Sequence, residues 1–188
     1  MFDPSVYAAR RKALLDRIGR GVVVLPSVPL ATRNSDVEHA HRQHSDVYYL
    51  SGFDEPDAVL VLSNVHAEHQ AVLFVRPKNR EREIWDGFRH GVEGAVGTFG
   101  VDAAFPVSEL EQRLPDYLEG AGRLHHELGE HTEFDGQVLR ALHLVRMRCR
   151  RDGRTTPTEI VSTQVSIHEM RLVKQEAELA LMRRANAI

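Results

Sequence analysis

The chain has 188 residues, 42% hydrophobic and 27% charged, with a formal net charge of −3; this suits one globular domain, or one with a short extension. That charge balance argues against nucleic acid or an anionic membrane as a partner, and the lone cysteine, Cys149, rules out an intrachain disulfide and suits a reducing compartment. The longest apolar runs, Val22–Leu25 and Ala58–Leu62, fall far short of the roughly 20 residues of a membrane span, and Met1–Ser5 leads into Arg10-Arg11-Lys12 without a signal-peptide apolar region, so the expected location is the cytoplasm.

Asp3-Pro4 predicts a helix start, since Asp accepts from free N–H groups and Pro suits the first helical position. Val6, Tyr7, Leu14 and Ile18 continue it at helical spacing until Gly19. Gly21–Pro26 is β-branched and bounded by breakers, a buried strand. Ser27–Ser45 is polar and shows no period. Asp46–Leu50, Ala58–Leu62 and Ala71–Val75 then predict three strands of an antiparallel meander, with Glu83-Ile84-Trp85 as a short fourth. Ser108 and Glu111 have capping-box spacing ahead of a helix over 108–118. Arg123–His126 predicts a short strand. Thr132–Cys149 predicts an amphipathic helix facing inward with Phe134, Val138, Leu142 and Val145. Arg154–Pro157 is a connector, and 158–165 is open to either assignment. Gln175–Ile188 predicts a helix whose stripe of Ala177, Leu181, Ala185 and Ile188 has no stop signal after it. Strands first, with helices interleaved later, predict an α/β domain with a mixed β-sheet.

Catalytic signatures are missing from these elements. There is no phosphate-binding loop, no G-x-S-x-G elbow and no dinucleotide fingerprint. Cys149 sits within the basic run Arg146–Arg151 and reads as a structural thiol rather than a nucleophile. Eleven histidines raise the question of a metal. A zinc-protease helix needs two histidines one turn apart with a Glu between them. His126 and His131 are five apart across Gly129, His168-Glu169 has Leu172 at the second position, and His41 and His44 lie in loop-like sequence. Solvated or hydrogen-bonded histidines are the plainer account.

The run from Arg42-Gln43-His44-Ser45-Asp46 through Tyr49-Leu50-Ser51-Gly52-Phe53-Asp54-Glu55-Pro56 to Ala58–Leu62 resembles the R-Q-x-S-D-x-x-Y-L-[ST]-G-F-x-E-P stretch of the aminopeptidase P (Xaa-Pro aminopeptidase) N-terminal domain. His44 stands where the family often has Asn, Val47 where an aromatic is usual, and His41 where Tyr is common. Arg10–Leu14 is similar to the family's first helix, Glu83–Gly87 to its E-x-W-x-G turn, and Gly100-Val101-Asp102 to its G-V-D. His168–Lys174 is similar to its H-E-M-R-L-x-K linker, and Glu176–Ile188 to the E-x-x-x-[ML]-R-R-A helix that opens its catalytic domain. The resemblance spans nearly the whole chain, with its motifs in order.

The resemblance implies a ribonuclease H-like α/β fold of the creatinase N-terminal type: a mixed sheet flanked by helices, over 1–174 with the linker. Residues 175–188 would begin the first helix of a "pita-bread" catalytic domain. It implies a hydrolase that removes the residue preceding proline, using two divalent ions, usually manganese, held beyond Ile188. No catalytic residue and no metal ligand would then lie in this chain, which alone would be inactive. Its partners would be its own catalytic domain, further copies in a dimer or tetramer, and peptides with proline second. Trp85 matches a tryptophan the family can place at a neighbouring subunit's substrate site, where an indole suits a proline ring; a core or interface aromatic is the alternative. Arg154 matches an arginine near the domain junction that can face a peptide carboxylate; a solvated linker charge is the alternative. A prolidase- or creatinase-like hydrolase and a free-standing peptide- or protein-binding module remain the rival classes.

Overall fold

The computed structural model describes residues 2–35 and 37–187. Helix α1 (Pro4–Arg17) begins as the Asp3-Pro4 pair dictates, with Asp3 Oδ1 accepting from Ser5 N at 2.9 Å. Strand β1 (Gly21–Pro26) follows, then a small hairpin, β2 (Thr32–Asn34) and β3 (Val37–Glu38), inside the stretch that shows no period. Next come α2 (Ser45–Ser51), β4 (Val59–Ser63), β5 (Ala71–Val75), α3 (Arg80–Asp86), α4 (Gly91–Phe99) and β6 (Ala103–Pro106). The remainder is α5 (Leu110–Leu118), β7 (Arg123–His125), α6 (Thr132–Cys149), β8 (Glu159–Val161), α7 (Gln164–Leu172) and α8 (Glu176–Ala185).

Six strands form one mixed sheet in the order β6-β5-β4-β1-β7-β8. β4 runs antiparallel to both β1 and β5, and the other neighbours pair in parallel. Five strands therefore end along one edge of the sheet, where β4 begins. The expected three-stranded antiparallel unit exists, but its members are β1, β4 and β5. Alternation divides these strands between two cores. Val23, Leu25, Leu60, Leu62 and Leu73 face α1, α2, α4 and α7, whereas Val22, Val24, Val61, Val72 and Phe74 face α5 and α6.

Two expected strands are helices. Asp46–Leu50 lies in α2, where His44 Nδ1 accepts from Asp46 N and Gly52 closes the helix in the left-handed region at φ 71°. The β-branched and aromatic character of Val47-Tyr48-Tyr49 favours a strand locally. Burying Asp46, Val47 and Leu50 together requires the helical period instead. Glu83–Trp85 lies in α3, capped by Asn79 Oδ1, which accepts from Arg82 N at 3.1 Å. Acidic residues in its first turn, Glu81 and Glu83, favour that end. The Ser108 capping box does not form, because the chain leaves β6 through a 3-10 turn, Val107–Glu109, and α5 starts only at Leu110. Helix α4 escapes a propensity argument because Gly91, Gly94 and Gly97 weaken it; burial of Ala95 and Phe99 sustains it. Ile188, the last residue of the expected α8 stripe, lies outside the described residues.

Candidate functional site

The R-Q-x-S-D segment is a set of clamps. His41 reaches Asp54 O at 2.8 Å through Nδ1 and Val28 O at 3.0 Å through Nε2. Gln43 Oε1 accepts from Val28 N and His44 N, and its Nε2 donates to Glu55 O at 2.9 Å. The Gln43 side chain thus bonds to three otherwise irregular stretches of backbone. Asp46, only 2% exposed, turns its carboxylate toward α7. There Arg171 donates to it, and His168 Nε2 lies 3.7 Å away. A buried carboxylate is tolerated when paired and hydrogen-bonded in this way. The R-Q-x-S-D and H-E-M-R-L segments, 125 positions apart at Asp46 and Arg171, therefore meet in one contact. Tyr49 Oη reinforces it by donating to Met170 O at 3.3 Å.

A cavity of about 270 Å³ opens beside this contact, where β1 ends, lined among others by His44, Asp46, Glu127, Glu130, His131 and His168. Its acidic groups are engaged, Glu127 by Ser162 Oγ and Glu130 by Gln164 Nε2. Among the described residues no group of three or more His, Cys, Asp or Glu side chains is placed to hold a metal ion. His126 shows why: its Nε2 pairs with Asp135 Oδ1 at 2.8 Å and its Nδ1 with Val24 O. Burial opposes the Asp135 charge, yet hydrogen bonds from Gly129 N–H and His126 hold its carboxyl below the usual carboxylate range. His125 is buried, and burial pushes its pKa down, with the Ile18 backbone opposing that shift only in part. Burial likewise pushes the Cys149 thiol up, away from nucleophilic character.

Trp85 and Arg154 are not brought together. Trp85 sits on α3, beyond the edge where β5 ends, and is 87% exposed beside exposed Ile84 and Phe88; that exposure sets aside the core alternative. Glu83 Oε1 accepts from Arg89 N at 2.9 Å, and Lys78 Nζ lies 5.4 Å from the Phe88 ring centre, so the segment behind the indole is braced. Arg154 lies at the opposite edge, ahead of β8, where it donates to Glu119 and to Asp152. The clamp residues Gln43, Asp46 and Arg171 carry the architecture of this junction, and composition and spacing did not single them out. Their signal in the sequence was that both segments resemble the family's motifs.

The aminopeptidase P N-terminal domain family matches residues 7–125. Xaa-Pro aminopeptidase of Escherichia coli K12 is 38% identical over 184 residues, covering 97% of this chain and 42% of that protein. Rat Xaa-Pro aminopeptidase 3 is 29% identical over 197 residues, covering 97% and 38%. The solved structure of Pseudomonas aeruginosa aminopeptidase PepP superposes with a TM-score of 0.89 at 40% identity, over 97% of this chain and 41% of that one. Zinc-substituted E. coli aminopeptidase P in complex with product gives 0.89 at 36% identity, over 98% and 42%. The chain thus spans well under half the length of these relatives.

Proposed function

Because the chain belongs to the aminopeptidase P N-terminal domain family, we propose that it is the non-catalytic N-terminal domain of a metal-dependent Xaa-Pro aminopeptidase. The observation that carries this reading is the meeting of Asp46 with Arg171. It pins a linker-like helix to a domain whose likeness to aminopeptidase P structures extends over 97% of the chain. In the parent enzyme two divalent ions, manganese by family resemblance, would be held by a C-terminal catalytic domain; this domain's part is to position that domain and to shape access to it. Residues 1–174 form the domain with its linker, and α8 opens the next one.

Trp85 supplies an exposed indole on a braced helix, suited to stacking on a proline ring presented by a neighbouring copy. Arg154, which by family resemblance would face a peptide carboxylate, is held by Glu119 and Asp152 at the edge opposite the Asp46–Arg171 contact and would have to exchange those partners to do so. Assembly as a dimer or tetramer and a cytoplasmic location complete the proposal. Among the described residues no helix is long and apolar enough to cross a membrane.

The test is cleavage of an Xaa-Pro peptide with added manganese, by this chain and by the chain extended with its downstream reading frame. Cleavage by the extended chain alone supports the proposal. Cleavage by the 188-residue chain itself would place catalytic groups within it and overturn the proposal. An extended chain that hydrolyses only X-Pro dipeptides would favour the prolidase alternative.

A further inference from the structure

Arg10 on α1 is 2% exposed. Its Nη1 donates to Tyr49 O at 3.1 Å, and its guanidinium lies 4.1 Å from the Tyr49 ring centre and 5.0 Å from that of Phe2. Among the described residues neither Nε nor Nη2 has a hydrogen-bond partner. These two nitrogens form one edge of the guanidinium, the edge that pairs side-on with both oxygens of a carboxylate. A buried donor edge without acceptors is costly, so this surrounding is suited to an anion.

The carboxylate facing that edge belongs to Glu178 on α8. Its Oε1 lies 3.4 Å from Nη2, while its Oε2 accepts from Gln175 N at 2.9 Å in a capping box. Among the described residues this is the one ion pair joining α8 to the body of the domain. A cavity of about 590 Å³, lined in part by Arg10, Tyr49, Leu181 and Met182, lies where α8 meets α1 and α2 and leaves room for the helix to settle. No residue of α8 is buried, and an isolated helix of this length is marginal in water.

We propose that Arg10 is a latch for α8. Its Nε–Nη2 edge captures the Glu178 carboxylate, and this fixes the direction in which the chain leaves the domain. The inference stands on this chain's own contacts and does not require the enzymatic assignment.

Amide hydrogen exchange on the 188-residue chain tests it, comparing wild type with Glu178→Gln, Arg10→Lys and the control Glu176→Gln. Glutamine preserves a capping box but removes the charge that Arg10 recognises. Among the described residues Glu176 pairs with Arg183 alone, within α8 itself. The expected result is protected α8 amides in wild type, lowered roughly tenfold or more by E178Q, the scale of a lost charge-assisted hydrogen bond. Protection in α1 and β1 should not change, and R10K combined with E178Q should lose no more than E178Q alone. The proposal is overturned if α8 exchanges as unstructured chain in wild type, or if E178Q and E176Q behave alike. Should R10K fail to fold, the two glutamate variants still decide the matter.

Discussion

Asp46 keeps its carboxylate inside the protein because Arg171 donates to it from α7, whereas His125 is a buried ring whose charged form burial disfavours. The two residues therefore respond differently to change. Asp46→Asn removes the charge that holds Arg171, and the expected loss is about 1–3 kcal/mol of stability, read from denaturant midpoints together with faster tryptic cleavage after Arg171. For His125 the folded pKa lies below the ordinary 6.5 because burial disfavours the charged ring, with Arg123 adding to the effect. As pH falls below 6.5 the unfolded chain takes up a proton that the folded chain refuses. The stability conferred by a neutral His125 is thus present above 6.5 and lost on acidification toward the lower folded pKa. His125→Leu, among Leu14, Ile18, Val23 and Ile167, should flatten this decline between neutral and mildly acidic pH in urea titrations. An unchanged decline would assign it to other groups, such as His66, whose pKa is likewise pushed down, by burial and by neighbouring His69.

At the scale of elements, α2 and α3 carry the domain's distinguishing sequence yet solve different problems. α2 is an interior helix ended by Gly52, whose φ of 71° and closeness to Tyr7 leave no room for a side chain: a Cβ there would lie 2.6 Å from the Tyr7 ring. Gly52→Ala should therefore destabilise by about 2–4 kcal/mol, combining the left-handed penalty with overpacking against α1; thermal unfolding measures this. α3 presents Trp85 outward, so Trp85→Ala should leave the stability of this chain within about 0.5 kcal/mol. The same substitution should lower peptide cleavage by the assembled full-length enzyme if the indole serves a neighbouring copy. Between α5 and α6 and the turns that follow them run the pairs Glu111–Arg140, Asp116–Arg148 and Glu119–Arg154. Being exposed, they should add little to stability, at most about 1 kcal/mol each, and less in high salt.

On the scale of the whole molecule, one sheet serves two cores, so packing on either face depends on the same strands and unfolding should be a single cooperative transition. The sole tryptophan is almost fully exposed, and its fluorescence should barely shift when the isolated chain unfolds, while far-UV circular dichroism reports the full transition. A blue-shifted emission that returns to the solvated position on dilution would instead show α3 covered by a second copy.

Breakers, apolar runs and helical periodicity were enough to place α1, β1, β4, β5 and α6, because the two helices bury one face and the three strands, buried on both faces, read as continuous apolar stretches. The mixed α/β class and the family resemblance were legible for the same reason, since both rest on local patterns in chain order. Tertiary structure alone decided that Asp46–Leu50 is helical, that Glu83–Trp85 turns outward on α3 rather than joining the sheet, and that Trp85 and Arg154 lie at opposite edges. It alone brought Asp46 to Arg171 and Arg10 to Glu178. Those outcomes depend on which distant groups share a buried space, and the free energy of a buried charge is set by its partner rather than by its neighbours in sequence.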